Sequence, residues 1–432
     1  MVNPGSFPVR SLFSHFRYCL RPVFSLALLC SLITSCFAQT ASSSTLVASN
    51  TPFALDLYHQ LKAKPGDNVF FSPYSISTAL AMTWAGARGE TAAQMAQVLH
   101  LPDLPVPTVA SAFGAWQKNL AALQIQGSVK LALANSLWPQ QNYPFLPAYL
   151  SLVQNNFAAG VFPVDYGKNS AAVRLQINTW VSNQTNQKIP ELLSTRDLKR
   201  DTRLVLVNAI YFKGNWLTQF DPASTHSKPF HLADGSAPKV PLMSHTFDVG
   251  DAPPYAAVPL PGAEGNLQIL SLPYQGGALS FIVLLPPTPD SLPALEKNLT
   301  APQLAAWLAQ LSSAPEELRV SLPKFMLSEK YRLAENLQAL GMTDAFANAD
   351  FSGMDGNRDL VISAVIHQAY LDVNEQGTEA AAATAVVMGP GGPPPQPILF
   401  VADHPFVFLI RDNATGSILF LGRLANPAAP AP

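Results

Sequence analysis

The stretch Glu375-Gln376-Gly377-Thr378-Glu379-Ala380-Ala381-Ala382-Ala383-Thr384-Ala385-Val386-Val387-Met388, followed by Gly389-Pro390-Gly391-Gly392-Pro393-Pro394-Pro395, decides how the rest of the chain is read. Its alanines are the strongest helix formers. Yet the segment follows a strand-like apolar pattern and runs into a Gly/Pro tip that holds no regular structure. With a period of two, Thr378, Ala380, Ala382, Thr384 and Val386 share one face, and Glu379, Ala381, Ala383 and Ala385 the other. The first face is small and uncharged throughout. Such a segment can stand as an exposed loop or enter a sheet as a strand without burying a charge, because its carboxylate points the other way. Alone, it would read as an ordinary Ala/Gly/Pro-rich surface linker.

The chain has 432 residues, 48% hydrophobic and 12% charged, enough to bury a large core and far from a disordered composition. Its formal charge is -2, and Arg10, Arg17 and Arg21 lie in the leader, so removing the leader takes it to -5. No basic surface for nucleic acid is implied. Residues 1–38 read as an export signal: three arginines, an apolar run from Val23 to Ile33, and small residues up to Ala38. Cys36-Phe37-Ala38 before Gln39 fits cleavage and simple secretion. Ile33-Thr34-Ser35-Cys36 resembles a bacterial lipobox, which would leave Cys36 lipidated at the mature N-terminus. Both remain open, as does a periplasmic location. All three cysteines, Cys19, Cys30 and Cys36, lie in this leader, so the mature body has no internal disulfide and depends on packing.

Gln39 to Asn50 reads as a Ser/Thr/Ala linker, and Thr51-Pro52 as the start of a helix. Asn68 to Pro73 reads as a short buried strand and turn, with a helix opened by Ser75. A helical pattern between Leu101 and Lys130 carries one lysine, Lys118. Val129 to Trp138 reads as a strand and Ala171 to Val181 as a helix. Leu204 to Phe212 is apolar on both faces except at Asn208, which marks a central strand covered on each side. One helical stretch is expected at Leu292 to Leu311, and a helix at Tyr331 to Leu340 that stops at Gly341. Val361 to Asn374 alternates as a strand with Val365, His367, Ala369, Leu371 and Val373 on one face. Phe406–Ile410 and Ser417–Leu421 read as a hairpin. The tail from Pro427 to Pro432 is Pro/Ala-rich.

Several motifs in order resemble the serpins, the serine-protease-inhibitor family. They are Asn68-Val69-Phe70-Phe71-Ser72-Pro73-Tyr74-Ser75-Ile76, Asn135-Ser136-Leu137-Trp138, Ile177-Asn178-Thr179-Trp180-Val181, Leu206-Val207-Asn208-Ala209-Ile210-Tyr211-Phe212-Lys213-Gly214-Asn215-Trp216, Leu322-Pro323-Lys324-Phe325, Leu340-Gly341-Met342, the opening stretch and Asp403-His404-Pro405-Phe406. The resemblance implies a bacterial secreted member with an α+β fold of three β-sheets and about nine helices. It implies one domain over 51–426, with an exposed reactive-centre loop at about 375–402. In some serpins the helix near Lys118 bears a basic cluster for acidic polysaccharide. Here no polyanion site is evident.

The resemblance assigns roles residue by residue. Glu375, Gly377, Thr378, Glu379, Ala380, Ala381, Ala382, Ala383 and Thr384 form the hinge. Ser72, Ser75, Asn208 and His367 form a hydrogen-bonded cluster, the shutter, beneath the place where the main sheet parts. Trp216 and Glu375 pair at the breach, where insertion begins. Bland readings stand beside these. Asn208 and His367 are polar residues in apolar strands and need partners wherever they lie, and Trp216 could be plain core. No metal spacing appears among the eight histidines, and no nucleophile motif or cofactor pattern occurs. The chain is therefore read as a non-enzyme without a cofactor.

An inhibitory serpin offers its loop as bait, is cleaved to an acyl-enzyme, and inserts the freed limb as a new strand while dragging the protease along. The partner is then a target serine protease in a covalent acyl complex with a monomeric inhibitor. The family's usual limb of roughly fourteen residues, about 46 Å at ~3.3 Å per residue, places the scissile bond at Gly391–Gly392. Bonds entering proline resist cleavage, which leaves alternatives at Val387, Met388, Gly389 and Pro390. The tip lacks Lys and Arg, favouring elastase-like or subtilisin-like proteases over trypsin-like ones. A non-inhibitory serpin acting as a carrier, or as a plain protease substrate, is the rival reading.

Overall fold

The apolar run centred on Asn208 forms the middle of a five-stranded sheet. Its order is Phe325–Arg332, Ile366–Val373, Leu204–Gly214, Val129–Pro139 and Gly160–Val161. The structure, a computed structural model, describes residues 45–62, 66–125, 129–157, 160–314, 316–377 and 396–428. Within them lie three sheets and ten α-helices. A seven-stranded sheet contains the C-terminal hairpin Phe406–Asp412 and Ile418–Leu424, and a four-stranded sheet begins at Ile398–Val401. The expected α+β architecture of three sheets is the observed one.

Both faces of the five-stranded sheet are covered, as a central strand without polar alternation requires. On one face Ile210, Phe212, Ala369 and Leu371 join the main core. There helix Pro73–Trp84 is buried along its whole length. On the other, Val207, Ala209, Tyr211, Ile366 and Tyr370 pack beneath helix Tyr166–Gln184 through Ile177 and Val181. Deep in the main core, Arg423 donates to Glu296 at 3.0 Å and to the Asp67 carbonyl at 2.7 Å, and Tyr58 donates to Glu296 at 2.7 Å. Leaving either charge there without its partner would be costly.

Four local expectations are corrected. The first helix spans 45–61, so residues 45–50 are not linker: Leu46 and Val47 are buried, and Asn50 Nδ2 donates to the Ile418 carbonyl at 2.8 Å. The helix after the first strand begins at Pro73, not Ser75, because the Ser72 hydroxyl caps it by accepting from the Ser75 N–H. The stretch from Leu292 to Leu311 is two helices, Leu292–Asn298 and Ala301–Leu308, separated where Thr300 caps the second and Pro302 enters its first turn. Tyr331 ends a strand, Phe325–Arg332, rather than starting a helix, and its hydroxyl accepts from the Phe70 N–H. The helix there is Ala334–Ala339.

The leader (1–38, with Cys36), the hinge residues Thr378, Glu379, Ala380, Ala381, Ala382, Ala383 and Thr384, the tip from Val387 to Gly392, and the last four residues lie outside the described residues.

Candidate functional site

Strands Leu204–Gly214 and Ile366–Val373 pair directly and in parallel, from Val207↔Ile366 to Tyr211↔Tyr370. This seam is the site. Parallel pairs are slightly weaker per residue than antiparallel ones. A strand entering between them would run antiparallel to both and replace one short ladder with two. Above Tyr211↔Tyr370 the strands part around a cavity of about 240 Å³ lined by Lys188, Phe212, Asp372 and Gln376.

Three polar side chains cross the sheet in one row, because His367 lies opposite Asn208 and Asn208 opposite Asn135. The Ser72 N–H donates to His367 Nε2 at 3.1 Å, which makes Nε2 the unprotonated nitrogen. Nδ1 therefore carries the proton and donates to Asn208 Oδ1. Asn208 Nδ2 in turn donates to the Ser75 carbonyl at 2.6 Å and lies 2.7 Å from Ser75 Oγ and 2.8 Å from Asn135 Oδ1. Ser72 Oγ donates to the Leu419 carbonyl at 2.6 Å. Burial pushes the His367 pKa down to about 3, so the ring is neutral at physiological pH. The structure thus brings Ser72, Ser75, Asn208 and His367 together, and adds Asn135, whose Nδ2 has no hydrogen-bond partner among the described residues. The cluster ties the seam to the buried helix at its N-terminus.

At the upper end, Trp216 stacks on Tyr274 with ring centroids 4.8 Å apart and donates from Nε1 to the Asn374 carbonyl at 2.9 Å. Its backbone N–H donates to Gln376 O, and that of Phe220 to Glu375 O. The Glu375 carboxylate accepts from Lys324 (3.0 Å to Oε1, 2.8 Å to Oε2) and from Thr225 Oγ1 at 2.8 Å. Burial pushes its pKa up, but the bonds from Lys324, the backbone and Thr225 outweigh that and hold it below the usual carboxylate value. Trp216 and Glu375 are therefore neighbours through the backbone of 374–376, and the carboxylate's own partner is Lys324. Gly377 adopts φ +69° against Gly214 and Trp216, where a Cβ would meet Gly214 O at 2.6 Å. Only glycine fits this turn without strain.

Sequence reasoning missed Asn135, Lys324 and Thr225. Asn135 and Lys324 stood in quoted motifs, but their contacts, 73 and 51 residues away in sequence, have no local signature.

This arrangement defines a protein whose central sheet is closed over a seam, with the turn Glu375–Gly377 anchored at its top. The family model described as Serpin (serine protease inhibitor) matches residues 48–427, and the chain belongs to that family. Leukocyte elastase inhibitor A of Rattus norvegicus is 40% identical over 391 residues, covering 88% of this chain and 99% of the relative. Leukocyte elastase inhibitor of Homo sapiens is 41% identical over 392 residues with the same coverage. Among solved structures, uncleaved ovalbumin matches with a TM-score of 0.75 at 29% identity, covering 89% of this chain and 100% of that one.

Proposed function

We propose that this chain is a suicide-substrate inhibitor of serine proteases that traps the acyl-enzyme by inserting its cleaved loop between strands Leu204–Gly214 and Ile366–Val373. The observation that carries this reading is the direct parallel pairing of those strands beneath the anchored turn Glu375–Gly377. The sequence that follows the turn, Thr378 to Thr384, has a face free of charge, ring and proline. A bulky or charged residue there would jam entry. The protease supplies all the catalytic groups. Its serine hydroxyl forms an ester with the carbonyl of the cleaved bond as that peptide bond breaks and its nitrogen leaves as the new amino terminus of the C-terminal peptide, and insertion of the released limb completes two antiparallel ladders.

Elastase-like or subtilisin-like targets fit the apolar and small residues from Val386 to Gly392 and the names carried by the relatives at 40–41% identity. The scissile bond is placed at Gly391–Gly392, with Val387, Met388, Gly389 and Pro390 as alternatives. Cleavage at Met388 would leave a limb three residues shorter, and plain substrate behaviour would then compete with trapping. Incubation with an elastase-like, a subtilisin-like and a trypsin-like protease tests this directly. The expected products are an SDS-resistant adduct and a released C-terminal peptide whose first residue fixes the bond. We also propose export as a monomer, supported by the arginines and apolar run of residues 1–38. The mass of the mature N-terminus separates a chain starting at Gln39 from one lipidated at Cys36.

A further inference from the structure

Below Val207↔Ile366, the start of strand Leu204–Gly214 and the segment 359–364 diverge around a cavity of about 400 Å³. Its floor is apolar, made by the buried side chains of Leu206, Phe351, Met354 and Ile362. Its mouth is cationic. Arg196, Lys199 and Arg203 are exposed there, and among the described residues none has a carboxylate within ion-pair distance. Of the carboxylates at the same mouth, the Asp197 side chain is fully buried, paired with Arg332 and accepting from the Ser194 N–H at 2.6 Å. Asp201 and Asp359 are exposed on the rim against three cations, the Tyr143 hydroxyl beside Asp359 donating at 2.7 Å to Asp355 instead. In a chain with only 12% charged residues, this concentration over an apolar floor selects a ligand with both characters.

We propose that this cavity binds a single-chain amphipathic anion, an aliphatic carboxylate of medium length. Its chain lies on Leu206, Phe351 and Met354, and its head meets Arg196, Lys199 and Arg203. Each methylene buried on the floor tightens binding by about fourfold. The guanidinium groups offer the paired N–H donors that a carboxylate accepts best. The cavity is bounded by Leu206 on one strand and by Ile362 and Ala364 leading into the other, so a bound ligand bridges the foot of the seam. A ligand that favours the closed form holds it closed in proportion to occupancy.

The test uses the full uncleaved chain and does not depend on inhibitory activity. Decanoate is titrated by calorimetry beside decanol and inorganic phosphate, and amide exchange is followed at Val207–Tyr211 and Ile366–Tyr370. The proposal expects saturable one-site binding of decanoate, at least tenfold weaker binding of decanol and phosphate, and slower exchange along the seam. Arg203→Ala and Arg196→Ala, both at exposed positions, should each weaken decanoate about tenfold with the unfolding midpoint of the free protein unchanged. Arg200→Ala, an exposed cation outside the cavity lining, should not. Absence of saturable binding, equal affinity for decanol (an apolar cavity only), equal affinity for phosphate (an adventitious ion only), or equal loss in Arg200→Ala overturns it.

Discussion

Acid should loosen the native fold through His367. The ring is fully buried between the Ser72 N–H and Asn208 Oδ1, and burial holds its pKa at about 3. In the unfolded chain the value returns to ~6.5. Between those limits the unfolded state binds the extra proton, so the stability contributed by the neutral ring is complete above pH 6.5 and falls as pH drops toward 3. Moving from pH 8 to pH 5 should remove about 2 kcal/mol. Any state that hydrates His367, including one with the seam opened, gains by the same amount. Two other groups titrate nearby. Glu329, raised to about 7 by burial and then by Asp67, acts in the opposite sense, because its native form holds the proton that the unfolded form releases. His245, lowered by burial, acts in the same sense as His367. The His367 share is therefore read as a difference: urea unfolding of the parent chain and of His367→Gln at pH 8 and pH 5, where the parent should lose about 2 kcal/mol more than the variant. Proton resonances of the His367 ring give an independent reading in the parent chain and should not titrate above pH 5. Titration near 6.5 in the native chain, or equal pH slopes in parent and variant, would refute the reasoning.

Other outcomes follow from the breach and the limb. Glu375→Gln keeps the shape but loses the charge that holds Lys324. Because Lys324 is 37% exposed the loss is discounted for solvent, to about 1 kcal/mol, and it should appear as faster spontaneous loss of the native form on warming, followed by native gel electrophoresis. Gly377→Ala places a Cβ on Gly214 O in a left-handed turn and should cost about 2 kcal/mol of native stability in denaturant unfolding. Thr384→Arg puts a charge on the inserting face, where burying it unpaired costs several kcal/mol. Cleavage should continue at the parent rate while the yield of covalent adduct collapses; an unchanged yield would mean that this face does not enter the sheet.

Asn208 and His367 were legible because a polar side chain in an apolar strand must find a partner, and the strands themselves were readable from their unbroken apolar runs. That the two residues face each other across a parallel seam was not legible, since register between strands 159 residues apart leaves no local trace. Asn135 belongs to the same row only because its strand pairs antiparallel with that of Asn208. The strand Phe325–Arg332 escaped notice because Glu329 occupies an inward position where alternation predicts an apolar residue, and that same placement raises its pKa. Residues 45–50 read as linker on their Ser and Thr content, yet Leu46, Val47 and Asn50 continue the helical stripe of Phe53 and Leu57 into the core. Thr378 to Thr384 lie outside the described residues, and the role proposed for their small face rests on side-chain size and charge alone.

The central claim is that the seam between Leu204–Gly214 and Ile366–Val373 admits the cleaved limb. Thermal unfolding of the chain before and after loop cleavage by an elastase-like protease, with the same digest run on a denaturing gel, tests it most directly. The account predicts a markedly higher unfolding midpoint for the cleaved chain and an SDS-resistant band at the summed mass of protease and inhibitor body. A chain that is cleaved within Val387 to Gly392 yet shows neither the higher midpoint nor the band would contradict it.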